Sequence, residues 1–184
     1  MGLVRIVAGD LRGRRLRVPE APGLRPTSDR VRQALFDILG QRLPGGRVLD
    51  AYAGSGALGF EALSRGADEA VFIESGRLAS DAIRENARAL GIADRCRLVQ
   101  GDAVALLRGR RVEGPFAWVF ADPPWADGAG PHFLEALVVS GVLPSGASIV
   151  LERDTRSEPA QPPQGWALTR TSVYGRTALD FYLS

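Results

Sequence analysis

The chain has no lysine: all 23 of its basic residues are arginine. Among its 184 residues there is one cysteine, Cys96, and one histidine, His132. A lone cysteine excludes an internal disulfide. A lone histidine, with no second ligand, thiolate cluster or serine partner, makes neither a metal site nor a Ser-His-Asp triad. The amino terminus has no apolar run of the signal-peptide kind, and no stretch approaches the length of a membrane span. The expectation is a cytoplasmic protein with no membrane contact and no metal. A content of 45% hydrophobic and 24% charged residues suits one domain with a sizeable core. Uniform arginine use can follow from genomic base composition, so the number of arginines says little and their distribution says more.

Residues 1–32 hold eight arginines against Asp10, Glu20 and Asp29, a local balance of +5 that leaves −3 for the rest of the chain. Strands expected at Val4 to Ala8 and Arg14 to Val18, joined through Gly9 to Gly13, make this segment a basic β-hairpin arm followed by a linker from Pro19 to Pro26. Arg12, Arg14, Arg15 and Arg17 form the electrostatic footprint of a phosphate-backbone contact, or equally a solvated hairpin face. Thr27, Ser28 and Asp29 offer caps for a helix from about Arg30 to Gly40, with Val31, Leu35, Ile38 and Leu39 on one face. Strands then alternate with amphipathic helices. The strands are expected at 47–50, 70–74, 97–100, 116–121 and 148–152, and the helices at 58–65, 78–90, 103–107 and 131–140. This pattern predicts an α/β fold with a mostly parallel sheet covered on both faces. Segments 166–174 and 177–183 flank Gly175-Arg176, a pair suited to a type II′ turn, so the seven-stranded sheet is expected to end in an antiparallel hairpin. Residues 1–26 are read as arm and linker, and 27–184 as the main domain.

Gly54, Gly56 and Gly59 follow the first strand of the sheet and open a helix, and Glu74 ends the next strand. The pattern fits a dinucleotide site, with the acid on a ribose hydroxyl. Asp50 argues for another cofactor, because a carboxylate beside that loop repels a pyrophosphate and attracts an ammonium group. S-adenosylmethionine has such a group, no phosphate, and a ribose diol that Glu74 can accept from. Gly101, Asp102 and Ala103, at the third strand end, fall where an adenine edge would lie, though Asp102 also reads as a helix N-cap. The expected cofactor-binding set is Asp50, Tyr52, Gly54, Gly56, Glu74, Gly101, Asp102 and Ala103.

Asp122, Pro123, Pro124 and Trp125 follow the fourth strand and form the expected catalytic pocket. Two prolines fix φ and remove two donors, which leaves carbonyl acceptors beside a carboxylate and a large ring. The Asp122 carboxylate and a proline carbonyl can take both hydrogens of an exocyclic base amine while Trp125 stacks on the base. Combined with the cofactor loop, this indicates a nitrogen-directed methyltransferase.

The chain resembles the small-subunit (16S) ribosomal RNA guanine-N2 methyltransferases of the RsmD type over nearly its whole length. The resemblance rests on Arg5 to Gly9, Arg12-Gly-Arg14, the string Gly23-Leu-Arg-Pro-Thr-Ser-Asp-Arg-Val-Arg32, Asp50 to Gly59, Glu61 to Arg65, Asp122-Pro-Pro and Tyr174-Gly175. It implies a class I S-adenosylmethionine-dependent (Rossmann-like) fold. It also implies methylation of one guanine in small-subunit RNA, as 16S RNA, an assembly intermediate or the subunit; separately, the protein is expected to be a monomer. Trp125 departs from the more usual Phe or Tyr. A flipped or unpaired guanine would be engaged by Trp125, with Arg12, Arg14, Arg15 and Arg17 on the phosphates. The alternatives are a DNA adenine-N6 or cytosine-N4 methyltransferase and a non-catalytic ribosome-assembly protein that binds RNA. His132 is read as a structural or surface residue, Cys96 as packing, and Glu152 as a pocket wall or a local partner of Arg153 or Arg156.

Overall fold

Val48-Leu49, Val71-Phe72-Ile73, Val119-Phe120 and Ile149-Val150-Leu151 are apolar on both sides of the backbone, so each belongs inside a sheet covered on both faces. The computed structural model, which describes residues 2–19, 28–124 and 128–184, bears this out. The strands are β1 (Gly2–Arg5), β2 (Arg15–Val18), β3 (Arg47–Ala51), β4 (Glu69–Glu74), β5 (Cys96–Gln100), β6 (Trp118–Ala121), β7 (Ser148–Asp154), β8 (Ala167–Tyr174) and β9 (Thr177–Leu183). The helices are α1 (Asp29–Leu39), α2 (Ala57–Ser64), α3 (Arg77–Leu90), α4 (Ala103–Arg108) and α5 (Ala129–Ser140), with a short 3-10 turn at Ala93–Arg95. Seven strands form one sheet in the order β5-β4-β3-β6-β7-β9-β8. The first five of these are parallel, and β9 runs antiparallel to both neighbours. Gly175, at φ +63, makes the β8–β9 turn.

One apolar cluster lies between the sheet and α1, α2, α3 and the N-terminal hairpin, and includes Leu35, Phe36, Phe60, Phe72, Ile83 and Phe120. The other packs α4 and α5 against the opposite face through Leu107, Phe133, Leu137 and Ile149. With α2 and α3 running back from the carboxyl ends of β3 and β4, the two edges of the sheet have different surroundings. Crossing of the strand order between β3 and β6 opens a crevice at the carboxyl edge, where the expected cofactor-binding residues and Asp122 lie.

Ser28 caps α1, its side chain accepting from Val31 N at 3.3 Å. The buried face of α1 is Val31, Arg32, Leu35 and Phe36, whereas Ile38 and Leu39 are only half-buried. The shift has a polar cause. Arg32 is fully buried because its guanidinium donates to Arg5 O at 2.8 Å and to Asp29 Oδ1 at 2.7 Å.

The N-terminal hairpin shares the core of the main body. Leu16 and Val18 point inward while Arg15 and Arg17 point out, as strand alternation requires. β1 ends at Arg5, short of the expected Ala8, because the next amides are used otherwise. Ile6 N donates to Arg14 O, and Val7 N and Ala8 N donate to the two carboxylate oxygens of Glu61 at 2.7 and 3.0 Å. Glu61 and Arg65 form a fully buried pair at 2.8 Å, and Arg65 lies over the Phe36 ring. Ser64 Oγ donates to Ala8 O and accepts from Leu11 N, which seats the hairpin turn on the end of α2.

Of the expected linker, Glu20 to Pro26 lie outside the described residues, as does Thr27. No helix among the described residues is long and apolar enough to cross a membrane.

Candidate active site

Beyond β3 the chain passes through Tyr52, Gly54 and Gly56 at φ of +59, +55 and +79. Three left-handed residues in five curl the loop back on the tip of β4, a conformation glycine adopts without strain and Tyr52 only under constraint. Ala53 N donates to Ile73 O at 3.0 Å, and the Glu74 carboxylate braces the curl. Its Oε2 accepts from Gly54 N at 2.8 Å and its Oε1 from Gly76 N at 2.6 Å. A carboxylate has roughly four lone-pair sites, so Glu74 retains the capacity to accept from two further donors, the pattern a ribose diol presents.

Asp50 is 2% exposed and lies beneath the loop, its Oδ2 accepting from Gly59 N at 2.8 Å. Burial pushes its pKa from 3.8 up to about 8, against the opposing pull of the Gly59 N–H, and the negative charges of Glu74 and Asp122 add to the rise. The charges of Glu74 and Asp122, at the ends of β4 and β6, therefore both reach Asp50 at the end of β3. An acidic edge of this kind favours a cationic ligand and disfavours a pyrophosphate. Gly59 has its own steric reason: a Cβ there would lie 2.4 Å from Phe72 Cε1 and 3.1 Å from Asp50 Oδ2.

The third strand end completes this wall. Gly101 N donates to Glu74 O at 3.0 Å, and Asp102 caps α4 through Oδ1 to Ala105 N at 2.8 Å, placing Ala103 in the first turn. The Tyr52 ring packs 5.6 Å from Phe133, and burial together with the charge of Asp102 pushes its phenol up to about 12. On β6, directly beside β3, Ala51 is in register with Ala121, so Asp122 follows one strand away from the glycine loop. Asp122 is half-buried, Pro123 is buried and Pro124 is exposed. Trp125 lies outside the described residues.

The structure distributes the basic residues of the hairpin along α3. Arg17 is at the level of the glycine loop, but Arg14 donates to Ala89 O in the last turn of α3, and Arg12 sits in the turn seated on the carboxyl end of α2. The carboxyl ends of these helices face the amino edge of the sheet, so Arg12 and Arg14 are remote from Asp122, while Arg15 is exposed between them. His132 is exposed. Arg153 pairs with Asp180 and Arg156 with Asp154.

One residue the sequence reading passed over is central. Asn86 is 2% exposed; its Oδ1 accepts from Arg17 N at 2.8 Å, and its Nδ2 donates to Arg17 O at 3.0 Å and to Ser55 O at 3.3 Å. It ties the hairpin to the glycine loop. The signal was present in α3, where Asn86 stands on the apolar face with Ala79, Ala82, Ile83, Ala87 and Leu90, a position a polar residue occupies only with partners.

A glycine loop braced by an acid on the neighbouring strand, in a seven-stranded sheet closed by an antiparallel pair, defines the class I methyltransferase fold. The comparisons agree. A solved Escherichia coli protein, yhhF, is 39% identical and superposes with a TM-score of 0.85 over 99% of this chain and 98% of its own. A hypothetical protein of Thermus thermophilus is 35% identical, with a TM-score of 0.79 over 97% and 98% of the two chains. In sequence, ribosomal RNA small subunit methyltransferase D of Escherichia coli K12 is 39% identical over 98% of this chain and 90% of its own length. The Haemophilus influenzae protein of the same name is 32% identical over 98% and 94%. Residues 4–183 match the family described as Conserved hypothetical protein 95, and the chain belongs to that family, together with ribosomal RNA small subunit methyltransferase D.

Proposed function

We propose that this chain transfers a methyl group from S-adenosylmethionine to the exocyclic N2 amine of one guanine in small-subunit (16S) ribosomal RNA. The observation that carries the reading is the placement of the Glu74-braced glycine loop and the Asp122-Pro123-Pro124 loop on adjacent strands, with the charges of Glu74 and Asp122 both reaching Asp50 at one edge. Family membership supports the substrate class, since relatives are named for methylation of small-subunit RNA.

The residues fit the cofactor. Glu74 can accept from the ribose hydroxyls; Gly54, Gly56 and Tyr52 shape the loop over it; Gly101, Asp102 and Ala103 border the adenine; and the acidic edge around Asp50 attracts the ammonium head. When bound, the cofactor supplies a methyl group made electrophilic by its sulfonium. Asp122 and the Pro123 carbonyl accept the two amine hydrogens, which turns the nitrogen lone pair away from the ring and holds it in line. Pro124 keeps that carbonyl fixed, and Trp125 stacks on the base. The amine proton passes to Asp122 or to solvent. No step requires a metal. Arg12, Arg14, Arg15 and Arg17 serve as phosphate contacts along the outer face of the hairpin, with residues 1–26 as RNA-contacting arm and linker and 27–184 as the methyltransferase body. The protein works in the cytoplasm, as a monomer, on 16S RNA in the subunit or an assembly intermediate.

The test is transfer of labelled methyl from S-adenosylmethionine to small subunits lacking the modification, with the product nucleoside identified by mass spectrometry. N2-methylguanosine at one site is expected. Cofactor binding without transfer to subunits or free RNA would remove the reading.

A further inference from the structure

The acidic edge that suits a cationic cofactor repels the phosphates of an RNA loop that must reach it. Of the hairpin arginines, Arg17 reaches the level of the glycine loop but pairs with Glu85 at 3.3 Å, and Arg12 and Arg14 lie towards the opposite edge. A different basic feature borders the pocket. β7 lies beside β6 with Leu151 in register with Ala121, so Asp154 stands about three residues, or roughly 10 Å, further along β7 at the usual strand rise. Asp154 is 3% exposed at its side chain, whereas the two guanidiniums it holds are 76% exposed at Arg156 and 64% at Arg176.

The geometry is that of a mount. Asp154 Oδ1 accepts from Arg156 N at 2.9 Å, and its Oδ2 accepts from Arg156 Nη2 at 2.8 Å and Arg176 Nη2 at 2.9 Å. Arg156 Nε completes a fork on the same carboxylate at 3.1 and 3.2 Å, which turns its Nη1 edge outward. Arg156 and Arg176 together hold Asp154 well below the usual carboxylate range, so the mount stays charged at any pH at which RNA is folded. Arg153, at the base, is fixed by the fully buried Asp180 at 2.6 Å. Asp154 is buried while the side chains of Arg156 and Arg176 face solvent, with a net charge of +1 across the three residues.

We infer that Arg156 and Arg176, mounted on Asp154 at the carboxyl end of β7 and in the β8–β9 turn, form a phosphate clamp that holds the substrate RNA backbone beside the Asp122 pocket. This rests on the RNA-methylating reading above and adds to it a contact on the far side of the pocket from the hairpin. Fixed guanidiniums recognise phosphate by paired N–H donors, without reading sequence. The clamp therefore governs engagement of RNA and leaves both the cofactor site and the methyl transfer step unchanged.

The experiment compares the wild-type chain with an Arg156→Gln/Arg176→Gln double variant and a charge-matched Arg110→Gln/Arg111→Gln control, whose arginines follow α4 at the opposite edge. Methyl transfer to unmodified small subunits is measured at increasing KCl, alongside direct binding to small-subunit RNA. For the clamp variant, kcat/KM for subunits falls at least about tenfold, and the slope of log affinity against log salt shrinks by about one to two units. Its kcat and its KM for S-adenosylmethionine stay at wild-type values, and the control stays within about twofold. Unchanged affinity and salt slope in the clamp variant, or an equal loss in the control, overturns the inference. Should the wild-type chain methylate no RNA at all, the catalytic reading fails separately, and the RNA-binding slopes still decide the clamp.

Discussion

If S-adenosylmethionine binds as proposed, the raised pKa of Asp50 makes that binding release a proton. At pH 7 a carboxyl with a pKa of about 8 is roughly nine-tenths protonated. A bound cation stabilises its ionised form and so binds the minor species. The apparent dissociation constant is then raised about elevenfold at pH 7 and about a hundredfold at pH 6, relative to a plateau above pH 9. Affinity should strengthen about tenfold per unit between pH 6 and 7.5, with close to one proton released per cofactor at pH 7. Asp50→Asn is nearly isosteric and cannot ionise, so it should bind more weakly at high pH and lose this dependence. Calorimetric titration with S-adenosylmethionine in two buffers of different ionisation enthalpy measures both affinity and protons released. The amine of the cofactor titrates equally against both proteins, so the difference between them isolates Asp50. Superimposable pH profiles and equal proton counts for the two proteins would refute the argument. Stability carries the same signature with a definite sign. The folded pKa lies above the unfolded value of 3.8, so the folded state keeps a proton the unfolded state loses, and stability falls as pH rises from about 4 towards 8. The Asn variant should lack that decline in denaturant melts.

Gly59→Ala should cost about 1–3 kcal/mol, because the new methyl meets Phe72 and Asp50, and this overpacking exceeds the gain of about 1 kcal/mol in helix propensity. Thermal denaturation should show a melting point lower by about 3–8 °C; no change would mean that Phe72 yields freely. Asn86→Ala leaves Arg17 N, Arg17 O and Ser55 O without their partner, and should cost on the order of 2–4 kcal/mol while raising KM for S-adenosylmethionine several-fold; a melt and steady-state kinetics check both, and an unchanged KM would separate hairpin docking from loop placement. Asp122→Ala should lose methyl transfer while S-adenosylmethionine still binds, as measured by calorimetry beside the activity assay. A variant with normal activity would remove Asp122 from the acceptor pair.

The alternation of buried apolar strands with amphipathic helices was legible because β3, β4, β6 and β7 carry their burial in consecutive residues. The Gly175 turn and the Ser28 cap were equally local. Departures arose wherever a distant partner set the outcome. Arg32 reads as a solvated cation in any window of sequence, and the bond to Arg5 O, reached through the fold, joins the local pair with Asp29 in making its burial tolerable. Asp50 reads as an open carboxylate at a strand end, yet α2 returns across it and Gly59 N closes on its oxygen. Asn86 gave a faint signal as the one amide on an apolar helix face, but its two partner segments lie 31 and 69 residues away. The same distance hid the direction of the hairpin: its strands follow from alternation, but nothing near Arg12 in the chain says that Ser64 will hold the turn at the far edge.

That hairpin also bears on the order in which the molecule assembles. Two strands alone are marginal in water, and the groups that seat these two, Glu61, Ser64 and Asn86, emerge from synthesis 53 to 69 residues later. At roughly 5–20 residues per second, Arg17 waits on the order of 3–14 s for Asn86. β3 acquires β6 as its second neighbour only when residue 118 has been made. The hairpin thus closes onto α2 and α3 only after its own strands have waited for residues as far along as Asn86, and the amide that receives it there is the one that also holds Ser55 O of the glycine loop.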